Sequence, residues 1–333
     1  MINCCHPFIA DPAVALLQEW ATKRQRQSRA EGTWQNHRSA VTTYLAFCSQ
    51  VGLNPVKAHH SMICVFIEYL NQHIKAPASI VNNISHIRIF VRLTGHPSDQ
   101  MDHPRVGRAL EALKRNKAYV PNIKLPVPMG VLRQVLQALD ASPEHKIVRA
   151  ALLIQFYGAL RKGEVTPPSV RQFSPTVHLT RNDVVFHKDG VRIQIKSAKN
   201  MQLTSQRRTI NLAQTADPTL CVQQALKAAI EIAPTQSLLD PLLMFPDSRS
   251  AVPVTYIEKV WRQELERMGL GKSAFTLHGL RKAAATEAYD AGMTELDIQK
   301  YGGWRSTAHR TYICRTKTRG VNKSLINSLK SKK

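Results

Sequence analysis

Apolar residues recur at helical spacing through the first third of the chain. Trp34, Val41, Leu45 and Cys48 fall on one face of a predicted helix that ends before Gly52. Apolar stripes of the same period follow in three further segments, residues 60–73, 80–91 and 104–114. Because each of these helices has one apolar face to bury, the pattern predicts a small all-helical bundle.

The helical period stops after this bundle. Pro121, Pro126 and Pro128 disfavour a continuous helix between residues 117 and 128. We interpret that stretch as a linker, so the chain divides into an N-terminal extension, a helical first domain, the linker and a second domain with a basic C-terminal tail. The predicted bounds are residues 1–12, 13–116, 117–128 and 129–333.

The second domain mixes two periodicities. Helical patterns occupy residues 129–139 and 147–160, after which apolar runs on both sides of an Asp189-Gly190 turn predict a β-hairpin. Residues 207–212 supply a possible third strand. Helical patterns resume in four segments, residues 218–232, 254–268, 277–289 and 294–301, the last opening with Thr294 and Asp297 spaced as a capping box. The predicted fold class is mainly α with a small antiparallel β-sheet.

Basic residues dominate the charged positions. The 46 Lys and Arg residues outnumber the 23 Asp and Glu residues, which leaves a formal net charge of +23. Because the basic residues are spread through sequence with a globular pattern, the balance predicts a folded protein whose partner is a polyanion such as nucleic acid. No apolar run approaches the roughly 18 residues of a membrane span, so we expect no membrane partner and a cytoplasmic or, in a eukaryote, nuclear location.

The cysteine pattern bears on metal binding. Six cysteines are scattered without the paired spacing of zinc sites or disulfide frameworks, and we expect reduced thiols. The Cys4-Cys5-His6 cluster is either a metal site or a flexible terminus, and the terminus is favoured because no second ligand pair lies nearby. We therefore predict no metal and no other cofactor.

Four segments carry side chains suited to phosphate chemistry. They are Gly-Ala-Leu-Arg-Lys-Gly-Glu at 158–164, Lys-Ser-Ala-Lys at 196–199, Leu-His-Gly-Leu-Arg-Lys at 277–282 and Gly-Gly-Trp-Arg-Ser-Thr-Ala-His-Arg-Thr-Tyr at 302–312. In order and approximate spacing they resemble the tyrosine recombinase (phage integrase) family. The resemblance implies a helical core-binding domain followed by a tyrosine recombinase catalytic domain. It also implies a set of catalytic residues, which in this chain are Arg161, Lys199, His278, Arg281, Trp304 and Tyr312.

The arginines in these segments match the demands of phosphodiester cleavage. Displacement at phosphorus puts extra negative charge on the non-bridging oxygens, and the sequence has no evident carboxylate cluster to hold Mg²⁺. Arg161 and Arg281 can each grip two phosphate oxygens, and His278, three residues before Arg281, shares its helix face. Glu164 either orients Arg161 through an ion pair or is an ordinary surface residue.

Tyr312 is the predicted nucleophile. A phenol with a pKa of about 10 needs nearby cations to become competent at neutral pH. We expect Tyr312 in a helix whose N-cap is Ser306 or Thr307. Trp304 stands eight residues before it, whereas the family commonly has its His or Trp nine before, so Trp304 either donates to a phosphate oxygen or is a packing residue.

The leaving 5′-oxygen needs an acid. In the resembling family this acid is a lysine in the turn after the second strand, which points to Lys199, with Lys196 as the second choice and Lys188 as the third. A lysine in a hairpin turn is otherwise simply solvated. Lys199 is therefore the general acid that the resemblance implies.

These features together predict a site-specific recombinase or integrase. It would cleave and rejoin double-stranded DNA through a 3′-phosphotyrosyl intermediate without metal or ATP, as a homotetramer on two duplexes, in the service of a mobile element. Two alternatives remain at this stage: strand passage like that of a type IB topoisomerase, and a noncatalytic DNA-binding derivative of a recombinase.

Overall fold

The computed structural model describes residues 12–27, 31–116, 118–119, 125–196, 207–271 and 275–313. Contacts divide the chain into two compact units, Met1–Asn122 and Ile123–Lys333. The division falls within the stretch that the prolines mark as a linker. The described residues confirm the predicted fold class, since helices predominate and one three-stranded antiparallel sheet is present.

The first unit is built from helices alone in its described part. They are α1 (Pro12–Gln27), α2 (Glu31–Gln50), α3 (His60–His73), α4 (Pro77–Leu93), α5 (Asp99–Asp102) and α6 (Pro104–Asn116). Helix α2 packs on α4 and α3 on α6. The apolar stripes of α3 and α4 meet in their core, where Phe66, Ile67, Ile80 and Ile87 are at most 1% exposed. The face predicted for α2 is wrong in part: Leu45 is exposed, and Tyr44 and Phe47 are buried beside Cys48.

The second unit combines helices with the sheet. The helices are α7 (Met129–Ala138), α8 (Pro143–Tyr157), α9 (Lys162–Val165), α10 (Val222–Glu231), α11 (Val254–Arg267), α12 (Leu277–Asp290) and α13 (Glu295–Gly302). The predicted helix over 218–232 is shorter than expected, because a 3₁₀ turn at Pro218–Leu220 precedes α10. Helix α8 packs against α10 and α12, and its apolar residues are buried on all sides, which makes it the central helix of this unit.

The sheet has the order β1-β2-β3, from Val184–His187, Gly190–Ile195 and Arg208–Ala213. Its register pairs Val184 with Ile193 and Ile195 with Arg208, as expected for the predicted hairpin and third strand. The predicted cap of α13 is also confirmed, because the Thr294 side chain accepts the Asp297 amide. Among the described helices, none is both long and apolar enough to cross a bilayer.

Candidate active site

Arg161 follows a tight turn that ends the central helix. Gly158 closes α8, and Ala159 has a left-handed backbone with φ 47° before Arg161 begins α9. A Cβ on Gly158 would lie 2.8 Å from the Ile154 carbonyl oxygen and 2.8 Å from the Ile210 side chain, so the turn requires glycine there. The packing of this turn against β3 therefore sets where Arg161 stands.

Glu164 holds Arg161 in place. Its Oε1 accepts from Arg161 Nη1 at 2.7 Å, and its Oε2 accepts the Arg161 backbone amide at 2.9 Å. The Glu164 side chain is 5% exposed. A buried carboxylate with two such bonds is not an ordinary surface residue, so the ion-pair alternative describes Glu164.

Arg281 lies at the centre of the cluster and is completely buried on α12. Its Nη1 donates to the Ala159 carbonyl, and its Nη2 donates to the Gly302 carbonyl at 2.8 Å. The guanidinium carbon lies 4.2 Å from the ring centroid of Trp304 and 5.6 Å from that of Tyr312. One side chain thereby joins the turn before Arg161 to the end of α13 and to both aromatic residues.

The charge around Arg281 is unbalanced. Burial, together with the guanidinium groups of Arg161 and Arg208, lowers the pKa of Arg281 to about 10, while Glu164 and Tyr312 act in the opposite direction. The Arg281 Nε atom is buried and has no hydrogen-bond partner within the described part of the chain. Clustered cations with an unused donor favour binding of an anion.

Trp304 reaches the cluster because α13 ends in two glycines. A Cβ on Gly302 would overlap the Trp304 ring at 1.6 Å, so the indole lies directly against the helix backbone. Gly303 then turns the chain in a left-handed conformation with φ 66°. The indole Nε1 is buried and makes no hydrogen bond to any residue that the structure describes.

Tyr312 does not lie in an α-helix, which corrects the prediction. The residue ends a short 3₁₀ helix, Thr307–Thr311, and the N-cap of that helix is Ser306, whose side chain accepts the Ala308 amide. The next residue, Ile313, packs into a small apolar cluster that includes Trp304.

The half-buried ring of Tyr312 is flanked by other predicted site residues. Its centroid lies 5.5 Å from that of His278 and 5.1 Å from that of Trp304. Five of the six predicted residues thus gather in one place, namely Arg161, His278, Arg281, Trp304 and Tyr312.

The lysines have different positions. Lys199 lies outside the described residues, so its role stays a prediction. Lys196 makes structural contacts. Its Nζ lies 2.6 Å from Asp183 Oδ2 and donates to Thr180 Oγ1 at 2.9 Å and to the Pro175 carbonyl at 2.7 Å. These contacts use all three ammonium protons. Lys188 is exposed in the hairpin turn.

Two residues of this region were not predicted. Arg208, at the start of β3, donates to main-chain carbonyls on both sides of the cluster. His309 is 3% exposed, and its Nδ1 lies 3.2 Å from the Ser306 carbonyl oxygen. The available signal for Arg208 was a basic residue inside an alternating apolar strand. For His309 the sequence contains no comparable signal.

The described residues contain no group of three or more His, Cys, Asp or Glu side chains arranged to hold a metal ion. The side chains gathered in this cluster carry guanidinium, imidazole, indole and phenol groups. Guanidinium, imidazole and indole groups can donate to an anion, and a phenol can act as a nucleophile.

Comparisons with known proteins bear on the fold. No family model matches the chain, and no curated protein matches it. Among solved structures, a Tn1549 transposon integrase in complex with transposon right end DNA aligns with a TM-score of 0.62 and 14% identity, over 92% of this chain and 98% of that chain. A lambda integrase dimer bound to a COC' core site aligns with a TM-score of 0.59 and 16% identity, over 90% of this chain and 94% of that chain.

The XerH site-specific recombinase bound to its difH substrate aligns with a TM-score of 0.53 and 18% identity, over 80% of this chain and 70% of that chain. At such identities the likeness is one of fold. The chain has the fold of the tyrosine recombinases and integrases.

Proposed function

We propose that this protein cleaves and rejoins DNA strands through a covalent bond between Tyr312 and a 3′-phosphate. One observation carries the proposal: the Tyr312 ring lies against His278, Trp304 and the buried guanidinium of Arg281. A phenol placed among cations, with unused donors around it, suits attack on a phosphodiester. The likeness in fold to DNA-bound integrases and recombinases supports the same reading.

In the proposed reaction the Tyr312 oxygen attacks phosphorus, and the bond from phosphorus to the 5′-oxygen breaks. Arg161 and Arg281 stabilise the charge on the non-bridging oxygens, to which His278 and Trp304 also donate. The phenol proton passes to solvent, and Lys199 protonates the leaving 5′-oxygen. Attack by a 5′-hydroxyl on the phosphotyrosine reverses these steps, so rejoining needs neither ATP nor metal.

The partner in this proposal is double-stranded DNA, and the role is integration or transposition of a mobile element. A net charge of +23 provides for phosphate contacts whose strength falls with salt. Residues 13–116 form the proposed DNA-binding domain and residues 129–333 the catalytic domain. A homotetramer on two duplexes is the proposed assembly, since lambda integrase has been solved as a tetramer on a Holliday junction.

The test uses a pool of nicked duplexes with randomised sequence around the nick. Cleavage near a nick releases a short fragment, so the protein stays attached to DNA after denaturation. We expect the wild-type protein to give this adduct and Tyr312→Phe to give none while still binding DNA. The matched control is Tyr289→Phe, which alters another tyrosine packed on the same apolar cluster.

An undiminished adduct with Tyr312→Phe would remove Tyr312 from the role of nucleophile. Captured DNA can then be sequenced and built into paired sites. Exchange between two sites supports recombination, whereas relaxation of a supercoiled plasmid without exchange indicates the type IB topoisomerase alternative.

A further inference from the structure

Arg208 makes an unusual set of contacts for the first residue of a strand. Its Nη1 donates to the Gly302 carbonyl at 3.1 Å. Its Nη2 donates to the Gly158 carbonyl at 2.9 Å and to the Tyr301 carbonyl. One guanidinium thus binds main-chain oxygens from two segments that are more than 140 residues apart in sequence.

Both segments lead directly into proposed site residues. Gly158 opens the turn that delivers Arg161, and Tyr301 with Gly302 forms the last turn of α13 before Trp304. The last carbonyls of a helix lack partners within it and carry the negative end of its dipole, so a cation is favoured there. Arg208 satisfies these carbonyls and connects them to the other turn.

Arg281, on α12, donates hydrogen bonds to the same two segments. It donates to Ala159 and Gly302, while Arg208 donates to Gly158 and Gly302, so the two guanidinium groups share the Gly302 carbonyl oxygen. Arg208 and Arg281 thus hold the two segments together, and we call this pair of guanidinium groups the clamp. Arg281 also faces Trp304 and Tyr312, whereas the terminal nitrogens of Arg208 are directed to the backbone.

Burial of this second cation is unfavourable by itself. Desolvation lowers the pKa of Arg208, and the neighbouring Arg161 lowers it further, while Glu164 and Tyr301 act in the opposite direction. An apolar residue would satisfy a strand position more simply. The cost is offset by hydrogen bonds that only a planar fork of donors can make to three carbonyls.

We propose that Arg208 is a positioning residue, which fixes the Arg161 turn and the Trp304 turn at the separation that the phosphate requires. The proposal rests on the proposed function, because the separation matters only if both turns serve one phosphate. It assigns Arg208 no contact with DNA. Its effect passes through the carbonyls of Gly158, Tyr301 and Gly302.

The diagnostic variant is Arg208→Lys, which keeps the charge and removes the fork. A single ammonium group cannot hold both segments with the same geometry. The matched control is Arg207→Lys, which changes the adjacent exposed arginine, whose Nη1 donates to Gln194 Oε1 at 3.0 Å on the sheet. Arg208→Ala provides the full deletion.

The measurement is single-turnover adduct formation on a captured nicked duplex with protein in excess. For Arg208→Lys we expect the rate constant to fall about a hundredfold, as for a small misplacement of reacting groups. The final yield of adduct and the affinity for DNA should remain those of the wild-type protein. Partial unfolding would instead lower the yield and the unfolding midpoint, and Arg207→Lys should change neither rate nor yield.

Amide hydrogen exchange supplies a readout that does not depend on chemistry. In Arg208→Lys we expect faster exchange in both segments, residues 158–161 and 299–304, and unchanged exchange in the first unit. If Arg208→Lys matches the wild-type rate constant, the positioning role is overturned while the proposed function stands. If the wild-type protein forms no adduct, the proposed function fails and the positioning role falls with it, even where exchange confirms the clamp.

Discussion

Lys196 and Arg281 are both largely shielded from solvent in the second unit, and they differ in whether all their donors are used. Lys196 at the end of β2 has a carboxylate, a hydroxyl and a carbonyl within hydrogen-bond distance. Its partner Asp183 also accepts the amide and hydroxyl of Thr180, so this group of charges is closed. Arg281 also binds two carbonyls, yet it stands among other guanidinium groups.

The surroundings of Arg281 contain two polar atoms without a partner. Arg281 Nε and Trp304 Nε1 are buried without a hydrogen-bond partner in the described ranges of the chain, whereas His309 Nε2 lies 3.7 Å from a carboxylate oxygen of Glu295. Buried polar groups normally have partners, because leaving one unsatisfied is unfavourable. The Lys196 cluster is therefore satisfied within the fold, whereas the Arg281 cluster keeps two donors that the described chain leaves unsatisfied.

The largest expected effect is on stability, at the Lys196 cluster. Asp183→Asn leaves the Lys196 ammonium buried without its counter-charge, which should lower the free energy of unfolding by about 3–5 kcal/mol. Denaturant unfolding measures the change. The control is Asp189→Asn in the exposed hairpin turn. At a temperature where the variant is folded, its rate constant for adduct formation should be unchanged, and a large fall would break the distinction between the clusters.

The next largest effect is on catalysis, at the Arg281 cluster. Arg281→Lys should lower the rate constant of adduct formation by about 10²- to 10³-fold, or about 2.7–4 kcal/mol, because a planar pair of donors to the phosphate is lost. The control is Arg267→Lys, an exposed arginine paired with Glu264. Single-turnover kinetics on the captured duplex measure both variants. A wild-type rate for Arg281→Lys would show that this guanidinium does not act on the phosphate.

Trp304 and Trp261 allow the same comparison between an unsatisfied and a satisfied donor, with smaller expected effects. Trp304→Phe keeps an aromatic face over Arg281 and removes an unused donor. The loss of one hydrogen bond to a charged oxygen should cost about 1.5–3 kcal/mol in the activation barrier, with little change in stability. Trp261→Phe removes an indole that donates to the Phe275 carbonyl at 3.0 Å, so it should lower stability and spare the rate. Equal behaviour of the two variants would mean that Trp304 is a packing residue.

The smallest expected effect is stabilisation by inorganic phosphate. A free phosphate concentration a few times its dissociation constant should raise the free energy of unfolding by about 1 kcal/mol. This raises the unfolding midpoint by about 2–4 °C for a domain of this size. Sodium chloride at equal ionic strength is the control. Arg161→Ala should abolish the gain, and an equal gain in that variant would place the phosphate elsewhere.

The pH dependence of that gain follows from the pKa of Arg281, which burial and like charges lower to about 10. Below pH 10 the buried guanidinium is charged, so its burial opposes folding and bound phosphate offsets this cost. As the pH rises through about 10 the group in the free protein loses its proton, and the gain from phosphate should shrink. A series of unfolding midpoints from pH 7 to pH 11 checks the sign.

Local pattern was sufficient for most elements and for several site residues. The apolar periodicity predicted α2 to α4 and α6, and the Asp189-Gly190 turn predicted the hairpin, whose register only the structure gives. Hydrogen bonds and apolar contacts in these elements join residues that are near in sequence, so a short window contains the relevant information. The resemblance to the tyrosine recombinase family implied the residues that meet around Tyr312.

Other features depend on distant partners. Arg208 looked like an ordinary charged residue until the fold brought the Gly302 carbonyl to it. For Glu164, three residues from Arg161, the sequence left the ion pair open, and the structure shows it. Lys196 and Lys199 were close alternatives in sequence, and the contacts of Lys196 with Asp183 and Thr180 favour a structural role for the first.

Periodicity, composition and motif order are properties of the chain, so the fold class, the basic charge and the residues suited to phosphate chemistry could be predicted from the sequence. Which buried polar groups have partners depends on the three-dimensional arrangement. The reason is that a hydrogen bond such as that from Arg281 to the Ala159 carbonyl joins residues 122 positions apart, and no local pattern specifies it.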